Sequence, residues 1–123
     1  MSEEKQTILV IEDEAALSKS LNLGLSDEFK IIVADTGQQG LIEAKSQMPD
    51  LVLLDVMLPD QTGIDVLTAL KADKATDNIP VIILTNLSDQ ETVSKILQAG
   101  GKDYLVKSDW TIADIVQKIK DVI

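Results

Sequence analysis

The chain has 123 residues, 45% of them hydrophobic but only 2% aromatic, so a core must consist mainly of aliphatic side chains. It contains no Cys and no His, which excludes disulfides, thiolate chemistry, imidazole ligands and a phosphohistidine of its own. The formal net charge is −10, and Arg is absent, so we expect no nucleic-acid binding by this chain. The polar N-terminus and the absence of a long apolar run indicate a cytoplasmic protein without membrane insertion.

Five short apolar runs, rich in β-branched residues, predict five β-strands. They lie at residues 7–11, 30–34, 51–54, 81–84 and 103–106. The runs are continuous rather than alternating, which is typical of strands buried on both faces of a parallel sheet.

Helical periodicity occupies the segments between and after these runs. Leucines recur every four residues over 17–25, and apolar residues recur at helical spacing over 93–97 and 112–119. Segments 41–44 and 64–67 are weaker but compatible with helices. Five strand–helix units in a row predict a doubly wound parallel α/β fold with right-handed crossovers. We expect one domain over residues 1–123, with no output domain.

Polar residues at the predicted helix starts indicate caps. Ser88 with Glu91 forms a capping box for the fourth helix. Asp35 or Thr36 can cap the second helix, and Asp109 can cap the last one.

Charged and hydroxyl side chains follow the predicted strands. Glu12 and Asp13 follow the first strand, Asp55 the third, Thr85 the fourth and Lys107 the fifth. Because parallel strands share one carboxyl edge, where ligands of such sheets bind, these residues are predicted to form one site.

The chemistry of this set favours a metal-assisted phosphoryl acceptor. Carboxylates around Asp55 would repel a phosphate unless a cation offset their charge, and all-oxygen ligands favour Mg²⁺, for which Mn²⁺ can substitute. Asp55 can then act as the nucleophile, with Thr85 and Lys107 stabilising the charge on the transferred group.

The same residues resemble the receiver domain of two-component response regulators, over essentially the whole chain. The matching features are the acid pair Glu12–Asp13, the segment Leu54-Asp55-Val56-Met57-Leu58-Pro59, Gly63, Thr85 and Lys107, each at its expected place along the chain. The resemblance implies a flavodoxin-like, five-stranded sheet in the order 2-1-3-4-5 with five helices.

The resemblance also implies a ligand set for Mg²⁺. Asp13 and Asp55 are expected to bind the cation through carboxylates and Met57 through its backbone carbonyl. Glu12 is expected to act through a metal-bound water.

Roles around the phosphoryl group follow from the same resemblance. Asp55 is the expected phosphoacceptor, and Thr85, Lys107 and the backbone of Asn86 are expected to contact the phosphoryl group. Tyr104 matches the switch aromatic of the family, which turns inward when Thr85 moves towards the phosphate.

A phosphorylation-dependent signalling switch is the function that this resemblance implies. The expected donor is a sensor histidine kinase or a phosphotransfer protein. The expected read-out is binding of an unknown downstream protein to the face of the fourth helix, fifth strand and fifth helix. We expect the chain to catalyse its own phosphorylation and dephosphorylation at Asp55, without turnover of external substrates.

Two other functions compete with the switch. A non-phosphorylated adaptor would keep the fold without needing the complete site. A haloacid-dehalogenase-type phosphatase would need a second Asp where this chain has Met57.

Two residues differ from the pattern that is common in receivers. Asn86 stands where a small residue is common, and Ser108 stands where Pro is common. These differences bear on the lifetime of the phosphate.

Overall fold

The computed structural model describes residues 5–86, 90–107 and 110–123. Across these ranges five strands alternate with five helices, and each predicted strand is present to within one residue at either end. The elements in chain order are β1 (Gln6–Ile11), α1 (Ala15–Leu25), β2 (Phe29–Ala34), α2 (Gly37–Gln47), β3 (Leu51–Asp55), α3 (Gly63–Ala72), β4 (Val81–Thr85), α4 (Gln90–Gln98), β5 (Asp103–Val106) and α5 (Ile112–Val122).

The strands form one parallel sheet in the order β2-β1-β3-β4-β5. This order confirms the predicted doubly wound, flavodoxin-like α/β fold. At the centre of the sheet Ile11 of β1 is level with Leu54 of β3, and Asp55 is level with Leu84 of β4. Since the strand order reverses between β1 and β3, the crevice for a ligand is expected at the carboxyl ends of these two strands.

Aliphatic side chains cover both faces of the sheet. In β1, Leu9 and Ile11 join a cluster that includes residues of α2, α3 and α4, whereas Ile8 and Val10 join a cluster that includes residues of α1 and α5. β3 and β4 are buried along their whole length. The helices on both faces explain why these strands are continuous apolar runs.

The edge strands depart from the prediction of burial on both faces. In β2 only the first and last residues, Phe29 and Ala34, are buried, and Val33 is 40% exposed. In β5 only Leu105 is buried. Each of these strands has a neighbour on one side alone, so the helices that cover the centre of the sheet leave them partly open.

The predicted apolar faces of α1 and α5 are confirmed, and that of α4 is confirmed only in part. Leu21 and Leu25 of α1 are fully buried, as are Ile115 and Ile119 of α5. Leu97 of α4 is instead 53% exposed. Among the helices in the described ranges, none combines the length and hydropathy that a membrane span requires.

The predicted cap of α2 can be compared with the start of its helix, whereas that of α4 cannot. Thr36 caps α2, because its side chain accepts a hydrogen bond from the Gln39 amide at 3.0 Å. Ser88, the predicted cap of α4, lies outside the described residues.

The predicted cap of α5 is wrong. Asp109 lies outside the described residues, and Thr111 stands at the N-cap of α5. The Thr111 side chain accepts a hydrogen bond from the Asp114 amide at 3.2 Å. The Asp114 carboxylate in turn accepts one from the Thr111 amide at 2.8 Å. This reciprocal capping box satisfies two amide donors at once, which a single capping side chain does not do.

We expect Thr111→Ala to lower the free energy of unfolding by about 1 kcal/mol, because it leaves an amide of α5 without its side-chain acceptor. Urea denaturation followed by circular dichroism measures the loss. Thr111→Ser keeps the hydroxyl acceptor, so it is the matched control and should change the stability little. An equal loss in both variants would contradict the assignment of the cap to Thr111.

Candidate functional site

The carboxyl edge of the sheet brings the predicted site residues together. Asp55 and Thr85 are the last residues of β3 and β4, Glu12 follows β1, and Lys107 follows β5. The structure buries Asp55, Thr85 and Glu12, at 3%, 1% and 1% exposure. Buried polar groups of this kind require partners, and Asp55 and Glu12 share one partner, Lys107.

Lys107 connects the two buried carboxylates. Its Nζ lies 3.0 Å from Asp55 Oδ2 and 3.2 Å from each carboxylate oxygen of Glu12. Burial alone would lower the pKa of Lys107, but the hydrogen bond and charge of Asp55, with those of Glu12, raise it above its usual value. The ammonium group therefore stays charged between the two acids.

The buried carboxylate of Glu12 is only partly satisfied by its partners. Burial raises its pKa to about 7, the hydrogen bond and charge of Asp55 add to the effect, and Lys107 opposes it. Its Oε1 accepts hydrogen bonds from Lys107 and from the Glu14 amide. Its Oε2 is buried and, within the described part of the chain, accepts no hydrogen bond despite the nearby Lys107 charge. The site thus retains an unused acceptor.

Three carboxylates meet at this edge. Oxygens of Glu12, Asp13 and Asp55 all lie within 4.8 Å of one another. Asp13 is exposed, so the cluster is open to solvent on its side. Clustered carboxylate oxygens, one of them without a hydrogen bond, are the donors that Mg²⁺ and Mn²⁺ prefer. The residues therefore fit a divalent cation.

The segment after Asp55 is held by its own backbone. The Met57 amide donates to Asp55 Oδ1 at 3.1 Å, and the Val56 amide donates to the Leu84 carbonyl at 3.1 Å. The Gly63 amide donates back to the Val56 carbonyl at 2.6 Å. These bonds fix one oxygen of Asp55, while Lys107 pairs with the other. The Met57 carbonyl stays a predicted ligand.

Gly63 allows this loop to close tightly. A Cβ at this position would overlap the Asp55 carbonyl oxygen and would lie 2.7 Å from the Cα of Val56. Among the glycines only Gly100 has a positive φ, so Gly63 is required for space rather than for an unusual backbone conformation.

The remaining predicted residues lie on the β4–β5 side of the site. Thr85 is buried, and its carbonyl accepts a hydrogen bond from the Lys107 amide at 2.6 Å. Asn86 follows it and is exposed. Tyr104 is half-buried and packs against the cluster that contains Ile96 of α4. Their roles in phosphoryl transfer and switching stay predictions, and Ser108 lies outside the described residues.

The family of the chain follows from its similarity to known proteins. The family model of the response regulator receiver domain matches residues 8–120. This chain belongs to the response regulator receiver domain family. It is thus a receiver domain of two-component response regulators, as its strand-end residues and sheet order indicate.

Curated relatives of this receiver domain are longer regulators. The chain is 40% identical over 104 residues to the DNA-binding response regulator MtrA of Mycolicibacterium paratuberculosis. The aligned region covers 84% of this chain and 45% of MtrA. It is 39% identical over 101 residues to the cell cycle transcriptional regulator CtrA of Caulobacter vibrioides. Here the aligned region covers 81% of this chain and 43% of CtrA. The chain thus spans less than half the length of these relatives, and the expectation that no output domain follows stays a prediction.

Solved structures include a receiver domain with a metal in its site. The receiver domain of a Pseudomonas aeruginosa sensor histidine kinase, solved with a magnesium ion coordinated in its active-site cleft, is 26% identical to this chain. The two superpose with a TM-score of 0.87 over 95% of this chain and 96% of the other.

The receiver site has one neighbour that nothing in the sequence singles out. Asp60, in the loop between β3 and α3, accepts hydrogen bonds from the amides of Gly37 and Gln38 at the start of α2. The first turn of α2 has no acidic residue of its own, which is a weak sign that an acid comes from elsewhere. The sequence does not indicate which acid that is.

We expect Gly63→Ala to destabilise the receiver domain by about 1–3 kcal/mol, because the added methyl group meets backbone atoms that cannot rotate away. Denaturant unfolding measures the change. The matched control is Gly24→Ala, for which the three atoms nearest to the added Cβ belong to the side chain of Ile112 rather than to the backbone. In the control, replacing Gly by Ala within α1 also stabilises the helix by about 1 kcal/mol, which offsets part of the cost of the clash. Equal losses in the two variants would contradict this account of Gly63.

Proposed function

We propose that this receiver domain is a phosphorylation-dependent switch in which Asp55 accepts a phosphoryl group from the phosphohistidine of a sensor histidine kinase or phosphotransfer protein. The observation that carries the proposal is the buried Asp55 carboxylate, paired with Lys107 at 3.0 Å inside a carboxylate cluster. A carboxylate oxygen of Asp55 forms the new bond to phosphorus while the phosphorus–nitrogen bond of the donor breaks. Such a transfer depends on positioning and charge stabilisation more than on acid–base groups, which agrees with a chain that has no His.

The acidic cluster would hold the Mg²⁺ that this reaction requires. Asp13 and Asp55 would bind through carboxylates, Met57 through its carbonyl and Glu12 through a water molecule, and Mn²⁺ can substitute. When bound, the cation supplies positive charge that offsets the repulsion between these carboxylates and the phosphoryl oxygens. The all-oxygen donor set, the unused Glu12 Oε2 and the magnesium-bound relative support this assignment.

Lys107 and Thr85 would stabilise the phosphoryl group itself. The Lys107 ammonium group already lies against Asp55 and stays charged because its pKa is raised. It can therefore follow the negative charge from the carboxylate to the phosphoryl oxygens without crossing the site. Thr85 ends the strand next to Asp55, and the backbone of Asn86 follows directly, which suits both for contact with the same group.

The β4–β5 side of the molecule would transmit the switch. Tyr104 is half-buried against a cluster that includes residues of α4, so a movement of Thr85 would change the space available to its ring. Leu97 is an apolar side chain of α4 that is 53% exposed, and it can contact a downstream protein. The face of α4, β5 and α5 is therefore the proposed binding surface. The net charge of −10 supports a protein partner rather than nucleic acid for this domain.

Incubation with acetyl phosphate and Mg²⁺ should add one phosphoryl group to the protein, because Asp55 is the paired, buried carboxylate of the site. Intact-mass spectrometry measures the product. Asp55→Asn should give none, whereas Asp65→Asn, which removes an exposed carboxylate of α3, should react like the unchanged protein. Absence of an Asp55-dependent adduct with any phosphoryl donor would overturn the switch and favour a non-phosphorylated adaptor.

Asp13→Asn should weaken Mg²⁺ binding by on the order of tenfold or more, because it removes one carboxylate of the cluster. Isothermal titration calorimetry measures the affinity. Asp27→Asn removes the same charge from an exposed position between α1 and β2, and it should leave the affinity nearly unchanged. If both variants lose affinity equally, the effect is one of overall charge, and the ligand assignment is wrong.

A further inference from the structure

The loop between β3 and α3, residues 56–62, is bonded to the start of α2. Asp60 Oδ1 accepts a hydrogen bond from the Gly37 amide at 2.8 Å, and Oδ2 accepts one from the Gln38 amide at 2.9 Å. These two amides lower the pKa of Asp60, which keeps its carboxylate charged near neutral pH. The contact joins parts of the chain that are more than twenty residues apart.

Asp60 completes the capping of α2. A helix begins with amides that lack partners inside the helix. In α2 the Gln39 amide donates to the Thr36 side chain, and the Gly40 amide donates to the Thr36 carbonyl. The Gly37 and Gln38 amides donate to Asp60 instead. Thr36 therefore caps the helix locally, whereas Asp60 caps it from another loop.

A second contact supports the same docking. A Cβ at Gly37 would lie 2.6–2.8 Å from side-chain atoms of Gln61. Gly37 therefore leaves room for Gln61, which is only partly exposed. The loop is held against α2 by two bonds to Asp60 and by this close packing.

The same short loop contains groups of the proposed metal site. Met57 stands three residues before Asp60, and its amide donates to Asp55 Oδ1. On the other side Gly63 ties the loop to Val56. The loop is thus fixed at its base by Gly63 and in its middle by Asp60. Loss of the middle tether would leave the backbone at Met57 held only by its bond to Asp55 and its bridge to Thr62.

We propose that Asp60 is a positioning residue for cation binding: it docks the β3–α3 loop on the start of α2 and so fixes the Met57 backbone beside Asp55. This inference rests on the proposed function, because it assumes that the cation binds at Glu12, Asp13 and Asp55. The carboxylate of Asp60 bonds to the start of α2, so its contribution to cation binding passes through the loop.

The test compares Asp60→Asn with two matched controls in the full chain. Asp60→Asn keeps the side-chain shape but replaces one of the two acceptor oxygens with an amino group. Asp65→Asn removes the same charge from a nearby exposed position and controls for electrostatics. Thr36→Ala removes the local cap of α2 at the Gln39 amide but leaves the Asp60 carboxylate in place, so it controls for the stability of the helix.

Calorimetric titration with Mg²⁺ is the first measurement. We expect Asp60→Asn to weaken the affinity by about tenfold, as for other outer residues that orient metal ligands, and both controls to stay within about twofold of the unchanged protein. Equal affinity of Asp60→Asn and Asp65→Asn would overturn the proposal. An equal loss in Thr36→Ala would also overturn it, because helix stability alone would then account for the effect.

Amide hydrogen exchange without any metal is the second measurement. Asp60→Asn should speed exchange at Gly37, Gln38 and Met57, whereas Thr36→Ala should speed it at Gln39 but not at Met57. Unchanged exchange at Met57 in Asp60→Asn would overturn the positioning role even if the affinity fell. Failure of the unchanged protein to bind Mg²⁺ would instead overturn the proposed metal site, and this proposal with it. Binding by the unchanged protein with no effect of Asp60→Asn would overturn this proposal alone.

Discussion

The ammonium group of Lys107 between Asp55 and Glu12 is the interaction on which the site depends. Both carboxylates are almost fully buried, and isolated buried charges are costly unless they are paired and hydrogen-bonded. One lysine faces three clustered carboxylates, so it cannot neutralise them all. Burial, together with the hydrogen bond and charge of Asp55, raises the pKa of Glu12 to about 7, although Lys107 opposes the effect. A site with excess negative charge, open to solvent at Asp13, is prepared for a divalent cation.

The parallel sheet makes this interaction possible. Glu12 and Lys107 are 95 residues apart in the chain, yet they meet because β1 and β5 point the same way and end at one edge. Closing so long a separation costs chain entropy, which the site cannot repay by itself. The buried aliphatic residues on both faces of β1, β3 and β4 hold the strands in register. The core therefore fixes the positions of the strand ends, and these positions determine the distances between the charged side chains of the site.

The two sides of the site differ in how they are held. On the β3 side, Gly63 packs against the backbone of Asp55, and Asp60 joins the loop to α2. On the β4–β5 side, Tyr104 is half-buried, and Leu97 of α4 is largely exposed. A firmly held side suits the binding of a cation and the acceptor, while a less buried side suits the transmission of a change to a partner. This division agrees with the proposed switch.

The sequence alone determined the fold class, the five strands and the residues at their carboxyl ends. Those features depend on local patterns: continuous apolar runs specify buried strands, and in a parallel sheet whatever follows each strand lies at the same edge. Prediction from the sequence failed where several structural arrangements satisfy the same pattern. An apolar run does not reveal whether its strand lies at the edge of the sheet, where Val33 of β2 is exposed. The sequence also offered more than one polar residue as the cap of α5, and the structure shows that the cap is Thr111.

Only the tertiary structure decided the contacts between distant segments. The sharing of Lys107 by two acids, the overlap that requires Gly63, and the capping of α2 by Asp60 each join residues whose proximity depends on how the elements pack. Hydrogen-bond donors at a helix start need acceptors, but local sequence does not specify an acceptor that comes from another loop. The chain therefore encodes its chemistry locally, and the packing of the sheet and helices sets the distances at which that chemistry operates.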